Sequence, residues 1–240
     1  MKPSVLFGRA LDSGAEQLVV HGSDGVTWSM AIGRWLAPAS PVDERVLDRA
    51  SGPVLDVGCG PGRHVEALAQ RGVVAVGVEI SPVAVRHARR RGAEVVEGSI
   101  FEVAPDPGQW NTALLLDGNI GIGGCPELLL RRIGDLLSAD GQVLVEVEPP
   151  AADGSAAGGA ATTDVDGAAN GAGTRDVEGY RDHRVRSFQV RIEAGGTTSA
   201  WFPWARVTAA SIVEPATAAG MLIVETWCDD GRCFCVLARS

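Results

Sequence analysis

The sequence predicts an α/β protein built on a doubly wound, mostly parallel sheet. Three observations predict it. From residue 54 onward, short apolar runs alternate with segments of helical spacing, the signature of βα units joined by right-handed crossovers. The runs at 54–58, 73–79, 93–97, 111–117 and 142–148 are nearly unbroken Val and Leu, as expected of parallel strands covered on both faces. The first run also passes directly into a glycine-rich turn, Val57-Gly58-Cys59-Gly60-Pro61-Gly62, that opens a helix.

Each element can be justified in order. Residues 1–50 lack strong strand signals and read as a helical cap. Trp28, Ile32, Trp35 and Leu36 have helical spacing and predict a short amphipathic helix over 26–36. Pro41 and Asp43 start another over 41–50. These helices would lid a cleft or pack on the sheet edge. Residues 51–150 form the core, with helices at 62–71, 82–91 and 124–138. Residues 151–179 have almost no large apolar side chain, so they cannot offset the entropy of ordering, and a mobile loop is expected. Residues 180–240 complete the same domain. There, 184–193 and 198–207 alternate around Ala194-Gly195-Gly196, predicting an antiparallel hairpin inserted after the fifth strand. Thr208 caps a helix over 208–219. Strands 221–227 and 232–238 then meet across Asp229-Asp230-Gly231 as a terminal antiparallel hairpin.

The glycine turn points to a ligand. Gly58, Gly60 and Gly62 remove the Cβ atoms that would keep a ligand off the backbone, and the helix that follows aims free N–H groups into the turn. The second apolar run ends in Glu79, placed to accept hydrogen bonds from two ribose hydroxyls. The pair indicates a nucleoside. The spacing is G-x-G-x-G, whereas dinucleotide folds use G-x-G-x-x-G, and Asp56 in the strand end would repel a pyrophosphate but suit an ammonium group. VLDVGCGPGRHVEALAQRG followed by VGVEISPVAVRHARRRG resembles the first two motifs of class I S-adenosylmethionine-dependent methyltransferases.

The resemblance covers about residues 50–150 and 208–240. It implies a seven-stranded sheet of order 3-2-1-4-5-7-6 with the last strand antiparallel, and S-adenosyl-L-methionine as cofactor. Gly58, Gly60 and Gly62, with Cys59 between them, would line the methionine moiety. Glu79, followed by Ile80, would hold the ribose, and Asp56 would reach the amino group directly or through water. Many family members carry an aspartate at Ser99 to meet the adenine; serine accepts more weakly, and Ile100 would pack on the base instead. DNA aminomethylating relatives carry D/N-P-P-Y/F/W where this chain has Asp117-Gly118-Asn119-Ile120, which disfavours DNA or amide-nitrogen acceptors.

In open α/β sheets ligands sit beyond the carboxyl ends of the strands, and that rule selects the remaining site candidates. Asp117 and Asn119 fall where methyl transfer would occur; Asp117 would orient the cofactor or accept a substrate proton, or else cap local N–H groups. Glu146 and Glu148 share one side of a strand covered on both faces, where an unpartnered charge is expensive, so Glu148 is a candidate substrate contact or base. His64 opens the helix after the turn and is a catalytic candidate or a capping residue. His183 attracts no role. Trp201-Phe202-Pro203-Trp204 with Arg206 would wall a pocket for a planar or apolar substrate, or pack the hairpin on the sheet.

Composition bounds the partners. The 240 residues can bury a substantial core, and a net charge of −9 argues against nucleic acid or an anionic membrane. Arg86, Arg89, Arg90 and Arg91 make a local basic run, read as a solvated helix face. No apolar run approaches the ~18 residues a membrane span needs, and no signal-peptide pattern opens the chain, so a soluble cytoplasmic protein is expected. The five cysteines include Cys228, Cys233 and Cys235 near a hairpin. With no histidine close by, they suit buried reduced thiols better than zinc, and no metal is expected. The function expected is methyl transfer to a small-molecule acceptor. The rivals are a catalytically inactive S-adenosylmethionine-binding module and an NAD-dependent oxidoreductase. The sequence leaves the oligomeric state open.

Overall fold

Two sheets drawn from interleaved parts of the chain enclose a cavity between them. The computed structural model describes residues 1–149 and 185–240. In chain order the elements are α1 (Pro3–Ser13), β1 (Gln17–Gly22), β2 (Thr27–Ala31), α2 (Ile32–Leu36), α3 (Pro41–Leu47), β3 (Val54–Val57), α4 (Arg63–Gln70), β4 (Ala75–Glu79), α5 (Pro82–Arg90), β5 (Glu94–Glu97) and β6 (Trp110–Leu115). A 3₁₀ turn at Asn119–Gly121 follows, then α6 (Pro126–Leu136), β7 (Leu137–Val147), β8 (Arg186–Ala194), β9 (Thr197–Thr198), β10 (Phe202–Arg206), α7 (Val213–Ala218), β11 (Met221–Asp229) and β12 (Arg232–Arg239).

The larger sheet has seven strands in the order β5-β4-β3-β6-β7-β12-β11, with β12 alone antiparallel to its neighbours. This is the expected order and the expected antiparallel strand. Its central strands are buried along their whole length because helices cover both faces. Successive residues therefore enter opposite cores. Leu55 and Val57 join Leu129, Leu130 and Ile133 of α6, whereas Val54 joins Leu47 of α3, Leu68 of α4 and Val85 of α5.

The smaller sheet departs from expectation. Residues 17–31 are two strands, paired antiparallel, where a helical cap was expected; only Ile32–Leu36 of the predicted 26–36 helix is helical. Trp28 and Met30 alternate with Thr27, Ser29 and Ala31, and the turn Gly22-Ser23-Asp24-Gly25 folds β2 back onto β1. That turn chemistry is the signal helical spacing obscured. The inserted hairpin forms as expected about Gly195-Gly196, but it does not stand alone. β8 pairs with β1, placing Val20 beside Ile192, and the second sheet runs β10-β8-β1-β2. A third core lies beneath it, built by Leu6, Ala10 and Leu11 of α1 with Leu18, Val20, Val190 and Ile192.

Two further expectations meet the structure here. Cys228 and Cys233 are directly opposed in the β11–β12 ladder with Cα atoms 4.0 Å apart, and they form a disulfide, contrary to the reduced pair expected. Cys59, Cys125 and Cys235 are free. The loop expected at 151–179, and His183, lie outside the described residues. Among the described residues no helix is long and apolar enough to cross a membrane.

Candidate functional site

The site starts at the end of β3. The amides of Gly58 and Cys59 donate to the carbonyl of Val78 at 2.8 and 3.1 Å, so the turn leaves the sheet at a fixed angle. Asn119 locks it from the other side: Nδ2 donates to the carbonyls of Val57 (2.9 Å) and Gly58 (3.0 Å). The three glycines all have positive φ but play different parts. A Cβ on Gly58 would lie 2.9 Å from that Asn119 amide, whereas one on Gly60 would meet no protein atom within 4 Å. Gly60 lines the cavity and is the open cradle in its floor. Gly62 does not line it. A Cβ there would strike Ala88 at 2.8 Å and Ala93 at 3.1 Å, so the third glycine lets α4 pack on α5 and is not placed to touch a ligand.

Glu79 ends β4 at the cavity wall, only 7% exposed. Oε1 accepts from the Ser81 amide at 2.7 Å and Oε2 from the Gly60 amide at 3.0 Å. Burial pushes its carboxyl above the ordinary range, against the pull of the amides of Ser81, Gly60 and Ile80. No ion pair to Glu79 occurs among the described residues, so this carboxylate retains acceptor capacity for further donors. Ile80, Ser99 and Ile100 line the same stretch of wall. Cys59 lines it too, and its Sγ occupies the space a Cβ on Gly77 would need, 2.4 Å away.

Behind the turn lies a buried charge cluster that sequence reasoning did not assemble. Arg63 contacts Asp117 (Nη1–Oδ2 2.8 Å, Nη2–Oδ1 2.9 Å) and Asp43 (3.3 Å). Arg232 from β12 reaches Asp43 at 2.7 Å and Glu146 twice at 2.7 Å. Asp43 is held as well by a reciprocal cap with Ser40 at the start of α3. Burial opposes ionisation of Asp43 and Asp117, yet His64 and Arg63 hold Asp43 well below the usual carboxylate range, and Arg63 lowers Asp117 as well.

Three sequence candidates are repositioned by this cluster. His64 does not face the cleft: it is buried between Asp43 (3.6 Å) and Asp56 (3.5 Å) and is absent from the cavity lining. Burial alone would lower its pKa, but the two carboxylates raise it to about 9, which favours the imidazolium in this buried place away from the cavity. Asp56 is 1% exposed and also absent from the lining, because it shares the face of β3 with Val54, against α3 and α4. Asp117 does line the cavity, but its pairing with Arg63 and its 3.2 Å contact to Arg34 make it a poor proton acceptor. The signals for Arg63 were its place as first residue of the helix and the need of several acids for a cation.

The cavity holds about 1000 Å³ and runs from the glycine turn to the inner face of the second sheet. That face presents Leu18, Val20, Trp28, Met30, Val190, Ile192, Phe202 and Trp204. Glu148 and Arg206, separate candidates in the sequence, meet as an ion pair at its edge, and the Arg206 guanidinium lies 5.4 Å from the Trp28 ring. Trp204 lines the cavity; Trp201 does not. It is 47% exposed, with Arg191 over its ring at 5.1 Å. Two cavity-lining residues that sequence reasoning missed, Trp28 and Met30, alternate along β2; the helical spacing of Trp28 with Ile32, Trp35 and Leu36 concealed that strand.

A buried acid at the tip of the second central strand, a glycine cradle at the first and a cavity at the switch point define a nucleoside-binding α/β fold. Residues 54–141 match the family model for a methyltransferase domain. The chain is 32% identical over 114 residues to the trans-aconitate 2-methyltransferase of Paracidovorax citrulli, a match covering 46% of this chain and 44% of that protein, so it spans less than half of that relative. Its fold is similar to the crystal structure of a SAM-dependent methyltransferase from Bacteroides fragilis in complex with S-adenosyl-L-homocysteine, with a TM-score of 0.74, 20% identity, and 100% of this chain and 95% of that one covered. It is also similar to the 1,6-didemethyltoxoflavin-N1-methyltransferase of Burkholderia thailandensis, at TM-score 0.52 and 18% identity, over 86% of this chain and 78% of that one. Residues 54–141 are thus matched as a methyltransferase domain, and the whole chain shares its fold with a solved SAM-dependent methyltransferase.

Proposed function

We propose that this protein transfers the methyl group of S-adenosylmethionine to a small-molecule acceptor. The observation that carries the reading is Glu79. It is a buried carboxylate with no cation beside it among the described residues, fixed by two backbone amides at the mouth of an open glycine cradle. Two ribose hydroxyls would complete its hydrogen bonding and offset its desolvation. Gly60 leaves the floor clear beside it, and Ser99 and Ile100 border the place of the base. Arg63 and Asp117, paired with each other, line the cavity beside the turn. The core beginning at residue 51 holds the cofactor, and the sheet formed by residues 17–31 with 186–206 caps the acceptor side.

When bound, S-adenosylmethionine supplies an electrophilic sulfonium methyl carbon, whose bond to sulfur breaks with the electron pair left on sulfur. The chain supplies alignment and water exclusion, which need no covalent enzyme intermediate. Glu148, carrying one guanidinium partner and lining the cavity, is the group assigned to take a proton from the acceptor.

Methyl-labelled S-adenosylmethionine incubated with metabolite extract and this protein should label one or a few compounds and yield S-adenosylhomocysteine. Cofactor binding without turnover on any acceptor would favour the inactive binding module. Failure to bind S-adenosylhomocysteine would reject both.

A further inference from the structure

We infer that the acceptor is an uncharged, planar, largely apolar molecule that lies against the inner face of the second sheet between Trp28 and Trp204. The inference rests on the methyltransferase reading and adds the substrate class. Its basis is the way charge is distributed around the cavity. The inner face of that sheet is apolar across four strands, because cross-strand partners on one face repeat the pattern: Val20 beside Trp28 and Ile192, and Val190 beside Phe202. At the cavity wall Arg206 is neutralised by Glu148, and Arg63 by Asp117. Lys2, itself exposed, is the other cation among the described lining residues.

A carboxylate or phosphate on the acceptor would have to shed water against Trp28, Met30 and Val190, with nearby guanidinium groups already engaged. Neither guanidinium is free to compensate that desolvation. A flat ring meets aromatic faces and aliphatic side chains instead, and one neutral hydroxyl or amine reaches the Glu148–Arg206 edge. The volume of about 1000 Å³ stands at the top of the ~300–1,000 Å³ range of single-ligand pockets, so a nucleoside cofactor and a two-ring acceptor fit together.

The test is calorimetric titration of the full chain, alone and saturated with S-adenosylhomocysteine, with 2-naphthol, 2-naphthyl phosphate and trans-aconitate. The expected result is saturable 2-naphthol binding at least tenfold tighter than either anion. Met30→Lys, which puts a charge on the apolar face, should weaken 2-naphthol at least tenfold and keep S-adenosylhomocysteine affinity within twofold. The three-probe comparison on the unaltered protein stands even if that variant does not fold. Absence of saturable 2-naphthol binding, tighter binding of either anion, or unchanged 2-naphthol affinity in folded Met30→Lys overturns the inference. Loss of S-adenosylhomocysteine binding with the probe ranking intact would instead remove the methyltransferase reading and leave the apolar site standing.

Discussion

Arg63 and Asp117 clasp one another through two contacts of 2.8 and 2.9 Å, joining the first turn of α4 to the loop after β6. Around them, Arg34, Arg232 and protonated His64 join Arg63 against Asp43, Asp56, Asp117 and Glu146, four charges of each sign. The glycine turn rests on this balanced, largely buried set, which fixes where the cradle sits relative to β7 and β12.

Arg63→Met should therefore act on stability before it acts on binding. It strands Asp117 and Asp43 with fewer cations in a buried site, a loss of roughly 3–5 kcal/mol. Urea unfolding measures it. A loss below about 1 kcal/mol would mean that water already screens the cluster.

The cluster also gives stability a defined pH dependence. His64 has a folded pKa of about 9 against an ordinary 6.5, so its protonated form stabilises the fold. The contribution is fully present below pH 6.5 and is lost as pH rises through about 9. It amounts to roughly 3 kcal/mol. Urea midpoints taken from pH 6 to 9.5 should fall in the native protein, with a much flatter profile in His64→Gln. Parallel profiles would show that His64 is neutral in the fold.

Gly60 and Gly62 should separate binding from folding. Gly60→Ala meets open space at φ +53°, so only the left-handed backbone strain of about 1–2 kcal/mol is expected, with a large loss of S-adenosylhomocysteine affinity. Gly62→Ala collides with Ala88 and Ala93 in addition to its strain at φ +84°, so its stability loss should be the larger. Its folded fraction should bind the cofactor product normally. Calorimetry beside urea unfolding reads both; the opposite pattern would place the ligand elsewhere.

Glu79→Gln keeps one carbonyl to accept the Gly60 or Ser81 amide and removes the charge. S-adenosylhomocysteine affinity should fall by roughly 1.5–3 kcal/mol, the range for a hydrogen bond to a charged group. Since burial already penalises the ionised form, the fold should lose little. Unchanged affinity would sink the ribose assignment.

Most of the larger sheet was legible in the sequence because its strands are buried on both faces and so read as unbroken apolar runs. The turn and Glu79 were legible because glycine spacing and a strand-tip acid are local features. The second sheet was not, since β1 pairs with β8 some 170 residues away and nothing local in Gln17–Gly22 announces the partner. Asp56 was misread for a simpler reason. The period of two in a strand puts it on the Val54 face, and the motif alone does not say which face the ligand takes. His64 was misread because its environment is set by Asp43, contributed by a helix 21 residues earlier in the chain.

The two tryptophans of the inserted hairpin supply the last expected outcome. The sequence offered both as pocket wall, and the geometry distinguishes them. Trp204 sits in β10 opposite Phe188, packs edge-to-face on Phe202 at 6.2 Å, and lies so close to the 3₁₀ turn that a Cβ on Gly121 would meet its Nε1 at 2.6 Å. It therefore joins the cap to the loop that carries Asn119, and Asn119 holds the glycine turn. Trp201 points out of the cavity lining, and its contact with Arg191 at an exposed site is worth only about 0.5–1 kcal/mol. Trp204→Ala should lower stability by about 2–3 kcal/mol, less than the ~3–5 for a fully buried aromatic, and raise the KM for the acceptor by tenfold or more. Trp201→Ala should change stability by under about 1 kcal/mol and leave the KM alone. Acceptor kinetics run beside urea unfolding would separate the two. A raised KM in Trp201→Ala with a normal one in Trp204→Ala would mean the acceptor approaches from the outer face of the hairpin.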